Sequence, residues 1–197
     1  MRREPVTTTA EHRAAAFLKA VTWLRVILLP AIMALVLEGP TRRYAFVIGG
    51  VLFGVAAVTD FVDGFLARRW KQTTTFGTFL DTTADKLLVS GVLLALVAVD
   101  RASPWIALVI VGRELLILGL RGAVAAGGEV MKPSIWGKAK ANVQFLAIFL
   151  AIVRYPEEFG PLFLDGYAMI AAAVITIGSA VEYLVRFRSA LTAGDRP

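Results

Sequence analysis

Asp60, Asp63, Asp81 and Asp85 lie inside two long apolar stretches of this 197-residue chain. On insertion scales an Asp at the centre of a membrane-spanning helix costs about 2.5–3.5 kcal/mol, so four exposed to lipid would cost on the order of 10 kcal/mol. Acids in such positions face a protein interior or a watered cavity, and they mark function. Asp60 and Asp63 share one helix face at i, i+3, and Asp81 and Asp85 share another at i, i+4. A short turn near Gln72 joins the two stretches, which makes their helices antiparallel neighbours. Counted from that turn, Asp60 lies level with Asp85 and Asp63 with Asp81, about 13 Å below the helix ends at the α-helical rise. Four like charges at close range repel unless cations intervene. Carboxylate oxygens select hard ions such as Mg²⁺, Mn²⁺ or Ca²⁺. Two such ions would neutralise the cluster and leave positions for substrate phosphates. The alternative is plain ion pairing with Arg68, Lys86 or Arg113.

The neighbours of the acids fit a ligand site. Gly64 and Ala67 follow Asp60 at i+4 and i+7, so one stripe of that helix is almost bare. Small residues let helices pack closely; beside an acidic cluster they also leave room for a flat ligand. Arg68, at the helix mouth, suits a phosphate. Gly77 opens the second helix on the opposite wall.

The elements that must position these residues follow from composition. The chain is 57% hydrophobic and 18% charged, with mean hydropathy +0.70, against about 45–50% apolar and 25% charged in ordinary globular domains. That excess calls for a bilayer. Spans need about 20 mostly apolar residues, and six segments qualify: 17–37, 44–69, 76–99, 104–126, 138–154 and 164–186. The expected architecture is an all-α integral membrane protein of six transmembrane helices, with a short N-terminal interfacial helix over 7–17 and a cytosol-facing polar cavity. Thr8 and Glu11 have capping-box spacing at its start. One domain is expected over 1–197, with 1–16 a cytosolic or interfacial segment. The charged start leads into a polar stretch, without the apolar core of a secretory signal.

Charge orients these spans. The net charge is +6, but the basic residues gather between apolar runs, which points to lipid headgroups and not to nucleic acid. Arg2, Arg3, Arg13, Lys19, Arg68, Arg69, Lys71, Lys132, Lys138, Lys140, Arg186, Arg188 and Arg196 fall on one side; only Arg42, Arg43, Arg101 and Arg154 fall on the other. The positive-inside rule puts the first group and both termini in the cytoplasm of a multi-pass inner-membrane protein. Trp70, Trp105 and Trp136 stand at span ends, where indole rings settle. With no Cys and a single His, His12 in the polar start, thiol chemistry and Cys- or His-based metal sites are disfavoured. Polar chemistry falls to carboxylates and cations.

Written as one string, Asp60-x2-Asp63-Gly64-x2-Ala67-Arg68-x8-Gly77-x3-Asp81-x3-Asp85 fills every position of a long pattern. It resembles the signature of the CDP-alcohol phosphotransferases, membrane enzymes of phospholipid synthesis, and the six-span plan extends the resemblance over nearly the whole chain. The resemblance implies cleavage of a CDP-linked lipid, transfer of its phosphatidyl group to an alcohol, and release of CMP. It casts Asp60, Asp63 and Asp81 as ligands of two Mg²⁺ or Mn²⁺ ions. Asp85 becomes the general base, able to touch the second metal as well. Gly64, Ala67, Arg68, Gly77 and Thr74 become the wall for the CDP-lipid. A homodimer is a further expectation from the family.

Arg25, Arg113, Arg121, Lys138 and Lys140 lie in or at predicted spans and together suit an anion pocket for a phosphorylated acceptor. Singly, Arg113 can pair with Glu114, and Lys138 can snorkel. Asp85-Lys86-Leu87-Leu88, Gly112-Arg113-Glu114 with Arg121, Gly137-Lys138-x-Lys140-x3-Gln144 and Thr22-x2-Arg25 are similar to the bacterial branch that uses glycerol 3-phosphate and forms phosphatidylglycerophosphate. Lys19, Thr82 and Ala141 depart from it, standing where Asn, Pro and Thr are usual. Within the family the alternative acceptor is phosphatidylglycerol, as in a cardiolipin synthase; an inositol phosphate is more distant. From another class, a divalent-cation transporter would also line a path with acids. Such sites favour broken helices near the midplane, and no Pro interrupts either acidic span.

Overall fold

The computed structural model describes residues 9–42, 44–70, 75–126 and 135–186. Their side chains are described except for 9–19, 63–70, 75–76, 78, 126, 135–136 and 138. Six α-helices are found among these residues: α1 (Thr9–Glu38), α2 (Ala45–Trp70), α3 (Thr75–Ala98), α4 (Pro104–Ala126), α5 (Ile135–Val153) and α6 (Leu164–Arg186). Each covers one of the six expected segments to within about three residues, except that α1 starts eight residues before the expected 17. One expectation is corrected: of the 7–17 segment, the described part from Thr9 forms no separate interfacial helix, because α1 runs unbroken from there; residues 7 and 8 lie outside the described residues. Nothing between Thr9 and Leu29 breaks a helix, and the first proline after Thr9, Pro30, is already well inside it.

Three of the described helices hold a stretch long and apolar enough to cross a membrane, Ala20–Glu38, Ala45–Val62 and Leu164–Arg186; Ala139–Val153 is apolar but shorter. Asp81, Asp85 and Lys86 interrupt α3, and Arg113, Glu114 and Arg121 interrupt α4. On α2 the residues Val47, Val51, Val55, Val58 and Phe61 are all exposed. An apolar stripe of that extent belongs in lipid, which solvates it without cost. This is a membrane protein built of apolar helices.

The chain divides into two compact units, Met1–Gly91 and Val92–Pro197. In the first, α1 packs along α2, burying Ile32 and Val36 of α1 and Ala45, Phe53 and Ala56 of α2. α3 joins at Gly91, where an added Cβ would lie 2.8 Å from Leu29 Cδ1 and 3.0 Å from Met33 Sδ of α1. A hydrogen there is what lets the two helices approach so closely.

In the second unit α6 packs on both α5 and α4. Its buried residues are Asp165, Met169, Ala172, Thr176, Ser179 and Tyr183. Alternating steps of four and three keep them on one seam, the geometry of coiled-coil contact. α3 ends with Asp100 at φ 56°, and Arg101 N–H reaches back to the Leu96 carbonyl at 2.9 Å, closing the last turn as a Schellman motif. Ser103 then stands at the N-cap position of α4, its carbonyl accepting from Ala107 N–H at 3.0 Å, with Pro104 at the first helical position. A two-residue antiparallel hairpin, Glu158–Phe159 with Leu162–Phe163, links α5 to α6. Gly160 turns it at φ +77°, a backbone angle that glycine adopts without strain.

A second buried device finishes α5. Arg101 Nη1 donates to the Ala151 and Ile152 carbonyls, at 3.3 and 2.7 Å. Those are last-turn carbonyls without intrahelical partners, and a cation complements the helix dipole there. Arg154 donates to Asp165 Oδ2 through Nε at 3.2 Å and Nη2 at 2.9 Å, and its guanidinium stacks 4.9 Å from the Phe163 ring centroid. Asp165, in the first turn of α6, also answers that helix's positive end. Burial, and after it the Arg154 charge, hold Arg101 below the ordinary guanidinium range, while Asp165 pulls it back up.

Candidate functional site

The first unit brings signature acids together around a cation. Arg25 of α1 is 1% exposed. Its Nη1 donates to Asp60 Oδ1 of α2, and its Nη2 to Asp81 Oδ1 of α3, at 3.0 Å. Sequence spacing placed these acids on neighbouring helices; one guanidinium now joins them. Asp85, one turn beyond Asp81, accepts from Lys86 Nζ at 2.6 Å. That is one of the plain ion pairs weighed above. Arg25, read from sequence as a phosphate ligand, sits instead on two carboxylates.

This arrangement bears on the metal question. Asp60 and Asp81 are hard oxygen donors from different helices converging on one point of positive charge. That point is filled by a guanidinium, whose charge a divalent ion would exceed. Among the described residues no three acids stand close enough together to hold a metal ion; Asp60 and Asp81 supply two hard oxygen donors of the kind that Mg²⁺ or Mn²⁺ takes. The side chains of Asp63, Gly64, Ala67 and Arg68 lie outside the described residues, as does Thr74. Gly77 is described, half-buried in the first turns of α3.

The second unit gathers the opposite charge. Glu114 of α4 is 2% exposed; its Oε1 accepts from Lys140 Nζ of α5 and from Arg113 Nη1 at 3.2 Å. Arg113 Nη2 also donates to Ser179 Oγ of α6 at 2.8 Å. Two turns along α4, Arg121 Nη2 donates to the Tyr183 hydroxyl at 2.9 Å. Two cations thus meet one carboxylate in a largely dry seam, with Arg121 on the neighbouring Tyr183. A burial so expensive persists only when its partners are well placed. Nε of Arg113 and Nε of Arg121 are buried without a hydrogen-bond partner. Below them Gln144 Nε2 donates to Thr176 Oγ1 at 2.8 Å, which donates to the Ala172 carbonyl at 2.6 Å.

Of the expected anion ligands, Arg113, Arg121 and Lys140 therefore lie in one polar cluster of the second unit. Arg113 does pair with Glu114, as its simpler reading had it. Lys138 belongs to α5, but its side chain is outside the described residues. Sequence reasoning missed Tyr183 and Ser179. Their signal was the alternating four-and-three spacing along α6, which puts both on the seam.

A family model described as CDP-alcohol phosphatidyltransferase matches residues 18–178, and the chain belongs to that family. Membership makes it a membrane transferase of phospholipid biosynthesis. Its relatives are more particular. A CDP-diacylglycerol–glycerol-3-phosphate 3-phosphatidyltransferase of Bacillus subtilis is 35% identical over 186 residues, covering 89% of this chain and 96% of the relative. One of the same name from Escherichia coli is 39% identical over 179 residues, 86% and 93% of the two chains. A probable phosphatidylglycerophosphate synthase of Mycobacterium tuberculosis is 34% identical over 177 residues, 88% of this chain and 82% of that one.

Proposed function

We propose that this protein transfers the phosphatidyl group of CDP-diacylglycerol to glycerol 3-phosphate, giving phosphatidylglycerophosphate and CMP. One observation carries the reading: Asp60 and Asp81, both signature acids, converge from two helices on a single positive charge. The names of the relatives support the choice of donor and acceptor.

In this account the acceptor hydroxyl oxygen bonds to the lipid-side phosphorus of the pyrophosphate, and the bond from that phosphorus to the CMP oxygen breaks. Asp85 takes the hydroxyl proton, a role for which its carboxylate must be freed from Lys86. Asp60, Asp63, Asp81 and Asp85 are the residues to hold Mg²⁺ or Mn²⁺, which when bound would supply Lewis-acid polarisation of the pyrophosphate. Gly64, Ala67 and Gly77 leave a bare wall for the nucleotide, with Arg68 and Thr74 as polar contacts to it. Arg113, Arg121, Lys138 and Lys140 bind the acceptor's phosphate, because a dianion offsets a surplus of buried positive charge. Arg25 joins them only if metal takes over Asp60 and Asp81. The same reading has six spans in one domain, both termini cytoplasmic, and a polar cavity open to the cytosol of the inner membrane.

The test is CMP release by the purified protein in detergent with CDP-diacylglycerol, Mg²⁺ or Mn²⁺, and one acceptor at a time. Release that depends on glycerol 3-phosphate, with phosphatidylglycerophosphate found by mass spectrometry, is the expected result. Release only with phosphatidylglycerol would overturn the acceptor and make the protein a cardiolipin synthase.

A further inference from the structure

Two of the cations assigned to the acceptor phosphate stand eight residues apart on α4, about 12 Å along the axis at the helical rise. Left alone, Arg113 and Arg121 would repel each other and spread. What lies against both is one aromatic ring. Tyr183 of α6 is 1% exposed, and the Arg113 and Arg121 guanidinium carbons each lie over its ring, 5.6 Å from the centroid. That is within cation–π range for both. The hydroxyl of the same residue accepts from Arg121 Nη2 at 2.9 Å. One turn back on α6, Ser179 Oγ accepts from Arg113 Nη2 at 2.8 Å. Each guanidinium is thereby held at the ring by a face contact and a directional bond from α6.

We infer that Tyr183 is a positioning residue for the acceptor: it gathers Arg113 and Arg121 into one anion-binding fork for the phosphate of glycerol 3-phosphate. The inference rests on the acceptor reading above. Two further features favour a ligand over mere packing. Arg113 Nε and Arg121 Nε are buried donors without a hydrogen-bond partner, and a buried donor left unmet is costly unless something fills it. A phosphate offers oxygens enough for both. Also, Gly137 faces the Tyr183 hydroxyl bare: an added Cβ there would lie 3.5 Å from it. Gly137, in the first turn of α5, thus brings the helix that carries Lys138 and Lys140 up to the same residue.

The chemistry separates ring from hydroxyl. Tyr183→Phe keeps the ring contacts to both guanidiniums and deletes the bond to Arg121. Tyr183→Leu deletes both. With CDP-diacylglycerol and Mg²⁺, Tyr183→Phe is expected to raise KM for glycerol 3-phosphate about tenfold, the worth of one charge-assisted hydrogen bond. KM for CDP-diacylglycerol should stay within about twofold. Tyr183→Leu should raise the acceptor KM further still, and if that variant does not fold, Tyr183→Phe decides alone. A purely structural Tyr183 would lower Tm and move both KM values together or neither; either pattern overturns the inference while leaving the reaction intact. No turnover of glycerol 3-phosphate by the unaltered protein would overturn the acceptor reading, and this inference with it.

Discussion

Where α1, α2 and α3 meet, three described acids, Asp60, Asp81 and Asp85, face two cations, Arg25 and Lys86. Where α4, α5 and α6 meet, Arg113 and Lys140 both reach Glu114, and Arg121 reaches Tyr183 beside them. Both regions bury charge that a bilayer protein should avoid. The Arg101–Arg154–Asp165 group at the far end of α5 shows what a structural solution looks like, because there the surplus cation is spent on the Ala151 and Ile152 carbonyls. In the proposed reaction the acidic region takes a cation and the basic region an anion. A two-substrate reaction on phosphates needs both.

The largest effect should come from the acidic region. Asp85→Asn removes the proposed base and is expected to lower kcat about a thousandfold, within the range general bases supply. Mn²⁺ binding, followed by electron paramagnetic resonance, should be partly kept. Full activity would remove Asp85 from the mechanism. Next in size is the basic region: Arg113→Ala should raise KM for glycerol 3-phosphate about thirtyfold, the loss of a charged hydrogen-bond donor, with KM for CDP-diacylglycerol nearly unchanged. Equal shifts in the two constants would argue that Arg113 serves the fold alone.

The Arg101–Arg154–Asp165 group gives the contrasting case. Asp165→Asn leaves Arg154 without its countercharge and should cost about 2 kcal/mol of stability, read as a lower Tm, with both KM values untouched. Arg101→Gln should cost about 1 kcal/mol, since only the cap of α5 weakens. A change in acceptor KM from either variant would break the distinction between structural and functional charge.

Much of this was legible in the sequence, for specific reasons. α4 and α6 begin and end where apolar runs meet Pro104 or Leu164 and where those runs give out, so hydropathy alone set their bounds. The aspartates announced themselves by standing in apolar stretches at helical spacing. What hydropathy could not supply was the register of α1 against α2 and α3, so the contact of Arg25 with Asp60 and Asp81 is not legible in the sequence. The continuity of α1 through residues 9–19 was equally hidden, because Ala, Leu and charged helix formers read alike in a surface helix and in the first turns of a longer one. Two-residue strands are too short for any period-two signal, which is why the hairpin after α5 was not foreseen. Tyr183 reads as an ordinary core aromatic until its two arginine neighbours are placed beside it.

The most direct test pairs one conservative variant from each region. Asp81→Glu and Arg113→Lys both keep their charge and alter its reach. For each, the Mn²⁺ concentration for half-maximal CMP release and the KM for glycerol 3-phosphate would be measured side by side. The account predicts a crossed pattern: Asp81→Glu raises the Mn²⁺ requirement and spares the acceptor KM, while Arg113→Lys does the reverse. Either variant shifting both constants by the same factor would contradict the assignment of the acids to the metal and the bases to the acceptor.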